Sequence, residues 1–94
     1  YTKSYVQVDA TELNVREKPS SESELIGKLY KYQCVRIIEK VPYWTKVEYI
    51  NKKEEISIKG WVYSRYLLKF DENIFEWISM EEGEIYEGNI ETNI

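Results

Sequence analysis

Histidine is absent from the 94 residues, and cysteine, methionine and proline are scarce, with one, one and two copies. Without an imidazole the chain lacks the usual general base, the usual proton shuttle and the commonest metal ligand, which removes most hydrolytic constellations. Cys34 has no second cysteine to pair with, so neither an intramolecular disulfide framework nor a cysteine metal site is available. It stands in an apolar stretch with no histidine to activate its thiol. Carboxylates such as Glu54 with Glu55 and Glu81 with Glu82 are sequence neighbours, a placement that does not hold two groups across a scissile bond. The acidic residues near the C-terminus lack the alternating Asp and Asn ligands of a calcium loop. No catalytic residue, metal site or cofactor is therefore expected. No apolar run approaches the roughly 20 residues a membrane helix needs, and no basic-then-apolar leader is present, so membrane insertion is not expected either. A first residue of Tyr1 instead of methionine is read as a processed protein or an excised domain.

What is present is a chain with 43% apolar residues, enough for one modest core and too short for two. Charge splits it sharply. Residues 1–69 hold all 13 Lys and Arg against nine acids, whereas residues 70–94 hold eight acids and no base. The boundary predicts a domain over 1–69 and an acidic extension over 70–94, either docked on the domain or leading to another one. Within 1–69 the apolar pattern has period two and is broken by turn residues, which predicts strands over Tyr5–Val8, Leu13–Arg16, Leu25–Leu29, Cys34–Ile38, Tyr43–Ile50 and Ile56–Tyr63. The polar run Asn51–Glu55 predicts a hairpin loop. Five or six short strands with little helical periodicity favour a small antiparallel barrel. In the extension, Phe70, Ile74, Trp77 and Ile78 sit at helical spacing and predict a short helix or turn from Asp71 to Met80.

Five pieces of the chain carry a family likeness. Leu13-Asn14-Val15-Arg16 with Pro19-Ser20, Ile26-Gly27-Lys28-Leu29, Trp44-Thr45-Lys46-Val47, Gly60-Trp61-Val62 and Tyr66-Leu67 resemble, in order and spacing, the bacterial SH3 (SH3b) domains over roughly residues 5–68. The resemblance implies an all-β fold, a small SH3-like antiparallel barrel in which Ser64–Leu67 is the short 3-10 turn before the last strand; the acidic C-terminal extension read from the charge boundary follows it. Leu13–Pro19 and Gly60–Leu67 are read as its first and last strands. Two departures lie in loops: Tyr32 stands where many members carry glycine, and the connection from Asn51 to Lys59 is longer than the usual tight turn.

Alternation also sorts the side chains by face. With Val47 inside, Thr45 and Tyr49 follow it, while Trp44, Lys46 and Glu48 face outward and Trp44 becomes an exposed tryptophan. With Val62 inside, Trp61 and Tyr63 face outward, and Tyr66 borders Tyr63. Leu13 and Val15 inside send Asn14 and Arg16 out. A strip of Trp44, Tyr63 and Tyr66, joined by Tyr43 and Trp61, suits ligand binding because flat rings give a large contact area at low entropic cost. Arg16 has two readings, a carboxylate partner in a ligand or a structural bond that fixes the following loop. Gly60 is read as permitting an unusual backbone angle or a close strand approach. The lysines of 1–69 are scattered and not interleaved with aromatics on one strand face, so nucleic-acid binding is not expected.

The resemblance implies a non-catalytic targeting module, recognising peptidoglycan peptide or glycan for an attached catalytic or surface protein in the bacterial envelope or outside the cell; a monomer is expected. The alternative is a protein-interaction or scaffold barrel whose aromatic surface binds its own acidic tail, a neighbouring domain or a partner peptide.

Overall fold

A segment that buries every second residue needs a pleated partner on each side, and these segments find theirs in a single sheet. The computed structural model describes residues 5–80. Its elements are β1 (Tyr5–Val8), β2 (Glu12–Arg16), β3 (Leu25–Tyr30), β4 (Cys34–Val41), β5 (Trp44–Asn51), β6 (Ile56–Tyr63), a 3-10 turn at Ser64–Tyr66, β7 (Leu67–Asp71) and β8 (Glu76–Ser79). All eight strands join one antiparallel sheet in the order β3-β2-β6-β5-β4-β1-β7-β8. Register shifts between Val15 and Arg16 and between Ile37 and Glu39 add local twist. The sheet thereby curls onto one face, giving the SH3-like barrel. That inner face carries Leu13, Val15, Val62 and Leu67, all buried, with Val8 and Val47 between them.

The two phrases that suggest the fold are neither the first nor the last strands. β1 precedes the first, β7 follows the second, and they meet side by side where Arg16 of β2 pairs with Trp61 of β6. This one pair is the whole ladder between β2 and β6, yet it joins the β2–β3 hairpin to the other six strands. Gly60 explains how the backbones come so close. A Cβ built on Gly60 would lie 2.7 Å from the Arg16 carbonyl oxygen and 2.6 Å from a Val15 methyl. Glycine is used here for close approach.

Two turns depart from expectation. Tyr32, in the turn between β3 and β4, has φ 76°, so the conformation that favours glycine is kept without the glycine. Its N–H donates to the Val8 carbonyl at 2.9 Å, tying the turn to β1. The long connection after Asn51 is mostly strand: β5 and β6 remain paired out to Asn51 and Ile56, leaving only residues 52–55 as a loop.

The helix or turn predicted from Asp71 to Met80 is a hairpin instead. β7 runs to Asp71, the chain turns, and β8 pairs back with Phe70 opposite Trp77 and Asp71 opposite Glu76. The turn is held by local bonds: the Asn73 N–H donates to the Asp71 carboxylate at 2.8 Å, and Phe75 takes φ 55°. Phe70 meets Trp77 edge-on at 5.4 Å and Phe75 at 6.4 Å, so the rings spaced like a helix face are cross-strand neighbours. Part of the acidic extension, up to Ser79, thus continues the sheet; residues 81–94 lie outside the described residues.

Replacing Gly60 by alanine drives a methyl group into a backbone carbonyl that cannot move independently of β2. A loss of about 2–3 kcal/mol is expected, read as a lower urea midpoint at unchanged m-value.

Candidate functional site

Toward Glu12, away from the Arg16–Trp61 pair, β2 and β6 are no longer bonded, and a recess of about 370 Å³ opens beside them. One side is the outward row of β2, namely Glu12, Asn14 and Arg16 at alternate positions. The other is aromatic: Trp44 from β5, Tyr63 at the end of β6 and Tyr66 from the 3-10 turn. Trp44 is opposite Tyr63 in the β5–β6 register, and the two rings stack at 4.1 Å with 26° between their planes. Tyr66 meets Tyr63 edge-on at 6.3 Å, which sets a corner into the wall.

The corner depends on a turn pinned at three points. Ser64 and Thr45, both fully buried, share a hydrogen bond of 2.6 Å between hydroxyls. The Ser64 N–H donates to the Tyr43 carbonyl at 2.9 Å, and the Tyr66 carbonyl accepts from the Asp9 N–H at 2.8 Å. The guanidinium of Arg65 sits 5.6 Å from the centre of the Tyr66 ring.

Arg16 closes the paired end. It is half-buried, and its Nη1 donates to the Ser23 carbonyl at 2.9 Å, across the loop that follows β2. Ser23 in turn organises that loop: its hydroxyl oxygen accepts from the Lys18 N–H at 3.1 Å and lies 3.0 Å from the Lys18 and Ser20 carbonyls. The loop-fixing bond expected of Arg16 is present. It engages one nitrogen of the guanidinium, and among the described residues no other guanidinium donor of Arg16 is bonded to the protein.

The structure brings together four of the six residues singled out from sequence: Trp44, Tyr63, Tyr66 and Arg16. Trp44 is not the exposed tryptophan that alternation predicts. It does face outward, but only 9% of its surface is accessible because Tyr63 lies on its ring. The recess therefore shows an edge of Trp44, while Tyr63 and Tyr66 are 37% and 40% exposed. Trp61 is also outward-directed and also covered, at 8% exposure, between its register neighbours Arg16 and Lys46. It packs at the seam and does not line the recess. Tyr43 is 66% exposed at the turn between β4 and β5, with φ 71°, and lies outside the recess. Sequence reasoning passed over Glu12 and Ala10 as recess residues; the signal for Glu12 was its parity with Asn14 and Arg16 on β2. Among the described residues no group of acidic or thiol side chains is placed to hold a metal ion.

A family model for the bacterial SH3 domain matches residues 11–67. That span contains the β2–β6 seam and every residue of the recess except Ala10. No curated protein and no solved structure gives a significant match.

Thr45→Val strands the buried Ser64 hydroxyl, and Ser64→Ala strands that of Thr45. Each is expected to cost about 1–3 kcal/mol. The double variant should lose less than the sum of the two, which a double-mutant cycle in urea would measure.

Proposed function

The chain belongs to the bacterial SH3 domain family, whose members are typically non-catalytic binding modules, and from this premise we propose that it is a targeting module for the cell wall. On this reading its recess takes peptide or glycan of peptidoglycan and holds an attached envelope or secreted protein close to that polymer. The observation that carries the reading is the convergence of stacked Trp44 and Tyr63, edge-on Tyr66 and the half-buried Arg16 guanidinium on one recess. Rings supply flat contact for peptide planes or sugar faces, and the guanidinium supplies directional donors for a carboxylate or carbonyl. The charge of residues 1–69, all 13 bases against nine acids, adds attraction toward anionic wall polymers.

The charge split favours a second reading, a protein-interaction barrel whose recess receives its own acidic tail. Removal of residues 81–94 separates the two: wall binding that rises on truncation supports self-docking, and unchanged binding counts against it.

Retention on purified peptidoglycan tests the main reading. The parent chain is expected to be retained, and Tyr66→Ala to reduce its affinity about fivefold or more at unchanged stability. Tyr66 is the better probe than Trp44, whose removal also unstacks Tyr63. A parent chain that passes through unretained would sink the proposal.

A further inference from the structure

The recess has unlike ends, and we infer that it reads the direction of an extended peptide, with the carboxylate end seated at Arg16 and the ammonium end at Glu12. The inference rests on the recess being the binding site and adds the ligand's chemistry and orientation.

Three observations lead to it. Glu12, Asn14 and Arg16 project from the same face of β2, so an acid, an amide and a base form one line. Four residues of strand span about 13 Å, the length of a tetrapeptide in extended conformation. Opposite this line the wall is aromatic, with no second row of charge among its recess-lining residues.

The ends also differ in depth. At Arg16 the strands are paired, the side chain is half-buried, and the Ser23 carbonyl holds one nitrogen of the guanidinium in place. A carboxylate arriving there meets an oriented fork whose rotamer entropy is already partly lost. At Glu12 β2 is still paired with β3 but no longer with β6, and the residue is exposed. Its Oε1 is 3.3 Å from the Lys28 ammonium, with both side chains about half exposed, at 43% and 55%. An ion pair so open to water is weak, and the carboxylate can accept a second cation through its other oxygen. Midway, Asn14 offers both a donor and an acceptor at the height of a peptide group. A peptide laid in the opposite sense would bring its ammonium against a half-buried arginine, a like-charge encounter, and its carboxylate against Glu12, a second one reduced by the neighbouring Lys28 ammonium.

The probe is tetra-alanine with free termini, compared with its N-acetylated and its C-amidated forms. Each is titrated into the full chain and followed by amide and tryptophan-indole chemical shifts, which report weak binding and its location together. Chitotriose serves as a glycan control. The expected result is perturbation centred on Asn14, Arg16, Trp44 and Tyr63, an affinity loss of about tenfold on amidation, and one of about threefold on acetylation. In Glu12→Gln the difference between free and acetylated peptide should vanish while the amidation loss persists. Because the peptides themselves carry the comparison, it stands even if an Arg16 variant loses its loop. Equal affinities for all three peptides would overturn the inference while leaving the recess as a binding site. Shifts with chitotriose alone would overturn it in favour of a glycan site. Retention on peptidoglycan with no shift at the recess from either probe would overturn both the inference and the placement of binding in this recess.

Discussion

The approach of β6 to β2 at Gly60 is the constraint on which the remaining architecture turns. A single hydrogen at that Cα lets the Arg16 carbonyl and the Val15 methyl come within the distance a Cβ would occupy. The β2–β3 hairpin is then held to the other six strands by one cross-strand pair and by the core beneath it. Close contact at that point also explains why contact stops so soon. The strand leaving Gly60 reaches Ser64 within a few residues, and there the buried hydroxyl pair with Thr45 and the Tyr43 carbonyl draw the chain into a 3-10 turn. The recess is the space between a strand that runs straight and one that turns away.

This origin gives the recess its chemistry. The straight strand contributes its alternate outward residues Glu12, Asn14 and Arg16, all of them polar. The turning segment contributes aromatic residues, which are partly shielded because they stack on one another and on Trp44. Neither side alone resembles a binding site. Their union does, and it places a fixed guanidinium where the two sides converge.

Period-two alternation made much of this legible. It identified which way Trp44, Trp61, Tyr63, Asn14 and Arg16 point, because pleating fixes direction whatever the neighbours are. It did not reveal how far each is covered, because cover comes from residues distant in sequence. Trp44 and Trp61 were read as exposed for that reason, and each is hidden by a neighbour supplied by strand register. The C-terminal hairpin failed differently. Phe70, Ile74, Trp77 and Ile78 satisfy a helical spacing as well as a strand–turn–strand, and what decides between them is an Asx turn at Asp71 and a positive φ at Phe75, with no glycine at the turn to announce it. Tyr32 and Tyr43 are similar. Aromatic residues occupy left-handed turn positions there: the turn at Tyr32 falls where expected without its usual glycine, whereas Tyr43, expected to begin the β5 strand, lies in the turn before it.

The thinness of the β2–β6 seam carries a consequence for thermodynamics as well as for shape. An opening of the β2–β3 hairpin breaks one ladder pair and lifts Leu13, Val15 and Leu29 out of the core while leaving the long β4–β5–β6 ladders intact, so amides of β2 and β3 are expected to exchange with solvent through an event smaller than global unfolding. A ligand that spans the recess touches both lips and binds only the closed form, so its binding free energy is added directly to the seam. Recognition and local order then become one linked equilibrium, and the weakest join in the barrel is the one its ligand would fasten.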